Sequence, residues 1–262
     1  MAPFSQISKI PSKEDHFDLD AASEALKNGL SIAHLLKGHK LSPGESKWLA
    51  LVAIETQSLP TLQILLDNGW DINEPESYFE PSLLGRALRS DANEEVVRWF
   101  LDHGADSNAY AQRYKLTPLS RAIHFAPVNI IQLRLDHGGS AEKGELINSV
   151  CKRPEDSNTL YLLRLLHEMG ASISNALFDT DPGLSDVTKF EGTPMWISCT
   201  VGNITAVRYL VERGASPFEK AFFAQYLPLD AARKYGHWEI AKILDNVSKQ
   251  STERLQNGKT TS

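Results

Sequence analysis

One stretch of the chain, residues 116–140, can be interpreted directly as a helix pair: LTPLSRAIHFAPVNIIQLRLDHGGS. It has a Thr-Pro-Leu start, an Ala three residues after the Leu, an apolar helical period and a glycine turn. The same pattern returns at residues 192–216, GTPMWISCTVGNITAVRYLVERGAS, and the threonine precedes the turn glycine by 21 residues in both copies. A fixed offset of this kind indicates stacked repeats, and so a surface that binds something rather than a single catalytic pocket.

Glycines that end the second helix of each copy mark a near-constant period. They are Gly69, Gly104, Gly138, Gly170 and Gly214, and they are 35, 34, 32 and 44 residues apart. The last spacing predicts an insertion of about ten or eleven residues, near residues 176–191. A sixth helix pair begins at Leu227, and it is expected to be a capping repeat because it lacks a closing Gly-Ala turn.

Proline and threonine support these helix starts. Pro118, Pro194 and Pro228 lie at predicted first helical turns, where a missing N–H costs nothing and φ is already set. Thr117 and Thr193, directly before two of them, suit the N-cap position. Each turn glycine is expected to adopt a positive φ, which would strain a residue with a Cβ.

These features resemble the ankyrin repeat, whose period is about 33 residues. The resemblance covers roughly residues 45–247 and is weakest in the fourth copy, where Leu146–Arg153 lacks Thr-Pro-Leu. It implies an all-α fold, an ankyrin-repeat solenoid of stacked helix-turn-helix units with hairpin-like loops, with about five to six repeats plus terminal caps. The expected divisions are an N-terminal tail with degenerate capping helices, the ankyrin-repeat domain and a disordered polar tail, at residues 1–44, 45–248 and 249–262.

Composition restricts the function further. The chain has 262 residues and a formal charge of −6, and mild acidity argues against a general nucleic-acid or anionic-membrane surface. Cys151 and Cys199 are the only cysteines, and two thiols in a chain of this length do not form a disulfide framework. We therefore expect the protein to reside in a reducing compartment. The first twenty residues lack the apolar segment of a secretory signal, and no apolar run is long enough to span a membrane. We therefore expect a cytoplasmic protein, with the nucleus left open.

Motifs that carry chemistry are missing from the sequence. It contains no metal-ligand spacing, no phosphate-binding glycine loop and no nucleophile elbow. We therefore predict no catalytic residue, no cofactor and no metal. The question of an enzyme stays open, with a non-enzymatic role preferred.

The resemblance also implies where a partner would bind, since ankyrin-repeat proteins usually bind through hairpin tips and the exposed side of the first helices. Aromatic residues and arginine dominate interface energetics, and arginine pairs well with acidic or phosphorylated groups. We expect an unidentified protein partner, no nucleic acid and no membrane insertion. The predicted partner-binding residues are Tyr78, Tyr110, Arg113, Tyr114, Arg121, His124 and Trp196.

A second hypothesis concerns a small molecule. The 176–191 insertion could close the groove near His124 into a pocket, where His124 and a nearby carboxylate or Arg121 would support acid–base chemistry. Insertions in solenoids often sit on the binding face, but a tolerated surface loop fits the same spacing.

Overall fold

The computed structural model describes residues 17–37, 39–77, 80–88, 93–110, 116–174, 192–220 and 226–258, with side chains described as far as residue 250. The insertion expected near residues 176–191 lies outside the described residues. Apart from an isolated β-bridge between Pro75 and Ser82, the regular structure of the described residues is helical. Its helices are α1 (Leu19–Lys27), α2 (Ala33–Leu36), α3 (Pro43–Glu55), α4 (Leu59–Asp67), α5 (Leu83–Ala87), α6 (Glu94–Asp102), α7 (Pro118–Phe125), α8 (Val128–Asp136), α9 (Leu146–Lys152), α10 (Thr159–Glu168), α11 (Pro194–Val201), α12 (Ile204–Glu212), α13 (Pro228–Lys234) and α14 (Trp238–Gly258).

The chain divides into two compact units, of which the first is Met1–Ile72. It contains α1 to α4, with α3 packed against both α1 and α4. A reciprocal capping box between Ser42 and Glu45 begins α3. The helix pair α3–α4, which the sequence assigns to the repeat domain, thus belongs to the same compact unit as the N-terminal helices.

The second unit, Asn73–Ser262, contains α5 to α14 and holds the features with functional interest. Its first helices form one row, in which α5, α7, α9, α11 and α13 each contact the next. The second helices α10, α12 and α14 contact one another in the same order, and each pairs with the first helix of its own repeat. The all-α repeat solenoid expected from the sequence is therefore confirmed.

Local signals in the sequence act as anticipated. The Thr117 hydroxyl accepts a hydrogen bond from the backbone N–H of Ser120 at 3.1 Å, and Thr193 caps α11 in the same way. Gly104 and Gly214 have φ values of 86° and 81°, so these turns need glycine. The threonine caps and the glycine turns provide hydrogen-bond partners for backbone groups that a helix terminus would otherwise leave unpaired.

The fourth repeat, which lacks Thr-Pro-Leu, begins with a different turn. Gly144 has φ 85°, and its carbonyl accepts a 2.5 Å hydrogen bond from the Ser120 hydroxyl. A Cβ at position 144 would collide with the side chains of Ser120 and Thr117. This turn packs directly on the N-cap of α7, and only glycine leaves room for that approach.

The C-terminal tail differs from the expectation. Helix α14 runs from Trp238 to Gly258 and so includes the first ten residues of the tail expected at 249–262. The polar residues after Val247 include Lys, Gln, Glu and Arg, which are strong helix formers. A polar composition is thus compatible with a helix here.

One core position carries a charge. The residue four places before each turn glycine is buried in every repeat, and it is Leu65, Phe100, Arg134, Leu166 and Leu210. Arg134 is 0% exposed, and its three guanidinium nitrogens form no hydrogen bond with any residue that the structure describes. Burial lowers its pKa to about 9, against a smaller opposing influence of Asp106. A buried charge without a partner destabilises a fold.

Replacing Arg134 with leucine, the commonest residue at this position of the other repeats, should therefore stabilise the protein. We expect Arg134→Leu to raise the free energy of unfolding by about 1–3 kcal/mol, measured by urea or thermal denaturation. The control is Arg98→Leu, which removes an exposed guanidinium from α6 and should change stability by less than about 0.5 kcal/mol. A lower midpoint for Arg134→Leu would show that the guanidinium contributes to the fold.

Candidate interaction surface

Exposed apolar side chains recur where the first helices end. Phe125, Val201 and Tyr235 each lie seven residues after the proline that begins their helix. These residues are 40%, 49% and 42% exposed, although the other apolar residues of α7, α11 and α13 are mostly buried. We call the ends of α7, α9, α11 and α13, together with the turns that follow them, the loop edge.

The loop after α9 holds the first part of this edge together. Arg153 donates hydrogen bonds from Nη1 to the carbonyl oxygens of Ile123 at 3.1 Å and Ala126 at 2.7 Å. These two carbonyls lie on either side of Phe125 in the chain. The other terminal nitrogen of Arg153 pairs with Asp156 at 3.4 Å. The guanidinium therefore fixes the end of α7 against the loop.

The same loop is fixed on its other side by Glu155. Its carboxylate accepts hydrogen bonds from the backbone N–H groups of Ile204 at 3.2 Å and Thr205 at 3.0 Å. The Thr205 hydroxyl donates a further bond to it. These are exposed N–H groups at the start of α12, where a carboxylate also interacts favourably with the helix dipole. Residues 153–156 thus connect the end of α7 to the start of α12.

His237 completes the edge. Its Nε2 lies 3.2 Å from the carbonyl oxygen of Thr200, within hydrogen-bonding distance. Its ring fills the space that a Cβ on Gly202 would need, since that Cβ would lie 2.5 Å from the ring. Val201 lies between these two contact points, and Trp238, 68% exposed, follows directly after His237. The edge is therefore continuous from Phe125 to Trp238.

His124 is held in a half-buried position at the end of α7. The His124 ring stacks on Phe125 with a centroid separation of 4.1 Å and an interplanar angle of 9°. Burial, followed by the charges of Lys152, Arg121 and Arg153, lowers the pKa of His124 to about 4. His124 is thus neutral at pH 7.

Two clefts meet at Phe125. The smaller, of about 120 Å³, contains Arg121, which pairs with Glu80, and Arg86, which pairs with Glu76 at 3.2 Å. The Arg121 guanidinium lies 6.0 Å from the centroid of the Phe125 ring. The larger, of about 350 Å³, is lined by His124, Phe125, Arg153, Pro154 and Asp156. Phe125 therefore presents apolar surface to both clefts.

The structure brings together only some of the predicted contact residues. Arg121 and His124 lie at the loop edge. Tyr110 is 44% exposed, and its pKa is raised by partial burial and, to a smaller extent, by the charge of Glu145 just before α9. It therefore lies near the opposite ends of the first helices. Three further predicted residues, Tyr78, Arg113 and Tyr114, lie outside the described residues.

Trp196 requires a correction. Its side chain is 1% exposed, so the prediction of a surface contact is wrong for this residue. It lies in the first turn of α11, and its ring is 6.2 Å from that of Tyr226. The large side chain is buried within the stack of first helices, so it cannot contact a partner at the surface.

Sequence reasoning missed the residues that build the edge, which are Phe125, Arg153, Glu155, Val201, Tyr235 and Trp238. A signal was present for three of them, because an apolar residue at a constant offset from the proline recurs in three repeats. The roles of Arg153 and Glu155 depend on contacts between segments that are distant in the chain.

Other chemistry receives little support from the described residues. They contain no group of three His, Cys, Asp or Glu side chains that could hold a metal ion. Burial raises the pKa of both Cys151 and Cys199 to about 12, which makes them poor nucleophiles. In the part of the chain that the structure describes, no helix has the length and apolar character needed to cross a membrane.

Stacked helical hairpins with glycine turns and capped first helices define an ankyrin-repeat fold, and the resemblance noted in the sequence is confirmed at this level. The solved structure of the human ASB11 ankyrin repeat domain is similar, with a TM-score of 0.54 and 21% sequence identity. The match covers 75% of this chain and 81% of that chain. No family model matches the sequence, and the search of the curated proteins found no match.

The depressed pKa of His124 has a measurable consequence. The ordinary histidine pKa is 6.5, so between pH 6.5 and about 4 the native state binds fewer protons than the unfolded state. Stability should therefore fall as the pH falls through this range. We expect His124→Gln to reduce the loss of melting temperature between pH 7 and pH 5 by roughly 2 °C, with His103→Gln as the control. An unchanged pH profile would show that His124 is not held in this environment.

Proposed function

We propose that this chain is an interaction module that holds a partner protein at the loop edge. The ankyrin-repeat fold is commonly a protein–protein interaction module. The observation that carries the proposal is the row of exposed apolar side chains, Phe125, Val201 and Tyr235, at equivalent ends of the first helices. Apolar surface that recurs on one edge, beside charged groups, is characteristic of binding sites.

The loop edge is also preorganised by hydrogen bonds within the chain. Arg153 and Glu155 fix the loop after α9 to its two neighbours, and His237 fixes the turn after α13 against the end of α11. A surface that is already ordered loses less conformational entropy on binding. More of the free energy gained from burying Phe125 and Trp238 would then appear as affinity.

We assign roles to the individual side chains. Phe125, Tyr235 and Trp238 would serve as aromatic anchors, and Arg121 and His124 would lie beside the first of them. Tyr110, with Tyr78, Arg113 and Tyr114, stays a prediction for a second contact area near the hairpin loops. Both cysteines are free, which supports a cytoplasmic or nuclear protein.

The small-molecule alternative has one supporting observation, the cleft of about 350 Å³ beside His124. This volume falls at the lower end of ligand pockets, which span roughly 300–1,000 Å³. A general base works best with a pKa near the working pH, however, and the pKa of His124 is about 4. Protein binding is therefore the function that the edge supports better.

Affinity capture from a native extract tests the proposal through paired variants. Phe125→Ser with Val201→Ser removes two apolar side chains from the edge, and Tyr161→Ser with Met169→Ser removes two of similar exposure, 46% and 41%, at α10. We expect the edge variant to capture at least about tenfold less partner, while the α10 variant captures the normal amount.

Melting temperatures of all three proteins serve as the folding control. Equal loss in both variants, or full capture by the edge variant, would contradict a binding role for the loop edge. A bound metabolite that co-purifies with the chain in place of a protein would favour the cleft beside His124 instead.

A further inference from the structure

One second helix of the stack, α8, carries a buried charge that no described residue pairs with. The Arg134 side chain is 0% exposed, and its three guanidinium nitrogens form no hydrogen bond with any residue that the structure describes. Asp106 attracts this charge from an exposed position, but its carboxylate accepts a hydrogen bond from the backbone N–H of Asn108 at 2.7 Å. Helices α10 and α12 have Leu166 and Leu210 at the same repeat position. The charge therefore distinguishes α8 from its neighbours.

Leaving the stack costs α8 less free energy than it costs a helix with leucine at this position. When α8 opens, water solvates the Arg134 guanidinium again, and the recovered hydration offsets part of the cost of exposing apolar side chains such as Ile131. Opening of α12 exposes the fully buried Leu210 and recovers no such hydration. Because each repeat contacts only its neighbours, one element can open while the others remain folded.

The backbone of α8 is also set apart from the other second helices. Among the described helices, α10, α12 and α14 approach one another closely, but α8 approaches neither α6 nor α10 to the same extent. The described hydrogen bonds between α8 and these two helices are exposed, from Asn129 to Glu94 of α6 at 3.1 Å and from Tyr161 of α10 to Gln132 at 3.3 Å. Exposed bonds contribute little, because water competes for both partners. Helix α8 also begins after Pro127 without a side-chain cap.

Both ends of α8 are fastened to other repeats. The carbonyl oxygen of Ala126, two residues before the helix, accepts the 2.7 Å hydrogen bond from Arg153. After the helix, the side-chain amide of Asn108 donates a 2.8 Å hydrogen bond to the carbonyl oxygen of Gly138. These anchors hold the end of α7 and the turn after α8 in place. An opening of α8 is therefore confined to the residues between them, 128–137.

We propose that α8 is a built-in opening element, in which residues 128–137 leave the stack as one cooperative unit while α7 and the loop edge keep their structure. The buried guanidinium of Arg134 lowers the free energy of this opening, and the anchored residues Ala126 and Gly138 set its limits. The inference is independent of the proposed function, because it involves no partner.

Native-state hydrogen exchange of the full chain tests the proposal by comparing the amides of α8 with those of α12, a second helix of equal length. We expect α8 to exchange at least about tenfold faster than α12. Its exchange should also depend less on added urea, because a local opening exposes little surface. The urea dependence identifies the local opening, since any change in the stability of the whole unit alters the exchange of both helices.

Two substitutions test the cause of the opening. Arg134→Leu should slow the exchange of α8 by at least about tenfold, and Arg134→Met, which keeps most of the side-chain length without the charge, should act in the same direction. Arg98→Leu, which removes an exposed guanidinium from α6, should leave the exchange of α8 unchanged.

Two results would overturn the inference. Equal protection of α8 and α12, with the same urea dependence, would show that α8 opens only when the whole unit unfolds. Exchange of α8 that neither Arg134 variant slows would show that the buried guanidinium does not cause the opening. The comparison of α8 with α12 in the unaltered chain decides the first point even if both Arg134 variants fail to fold.

Discussion

A helix pair in this chain cannot bury its own apolar face, and everything else in the structure depends on that constraint. Leu119 and Ile123 of α7 are fully buried because a neighbouring first helix lies on each side. Stacking fixes the direction in which the first helices of the second unit end, since α5, α7, α9, α11 and α13 pack in one row. The residue that follows the last buried turn is then carried to the same edge in each repeat. The proposed binding surface thus follows from the packing requirement and the residue type at one repeat position.

Short-range interactions could be predicted from the sequence, because their causes lie within a few residues. Thr117 caps the helix that Pro118 begins, and Gly104 has the positive φ that its turn needs. The fourth repeat shows the limit of this reasoning. Its helix starts without Thr-Pro because the Gly144 turn packs against α7, a contact between residues 24 positions apart. The fold was predictable because several repeats follow the local rule, even though α5 and α9 begin without Thr-Pro.

The site was less predictable because it depends on contacts over long sequence distances. Glu155 reaches Thr205 across 50 residues, and His237 reaches Thr200 across 37. Trp196 looked like a surface anchor because it is aromatic, but its position in the first turn of α11 lies inside the stack. Phe125 lies beside Arg121 and His124, so two predicted residues lie at the proposed edge, although the sequence analysis did not single out Phe125. Trp196 and Phe125 are both aromatic, and what distinguishes them is that only Phe125 is exposed.

The central claim is that the loop edge, rather than the outer face of the second helices, contacts the partner. Hydrogen–deuterium exchange of the chain, alone and with its captured partner, tests this most directly. The account predicts slower exchange on binding in segments 123–127, 152–156, 200–204 and 234–239, which form the edge. Slower exchange confined to α10 and α12, with these four segments unchanged, would contradict it.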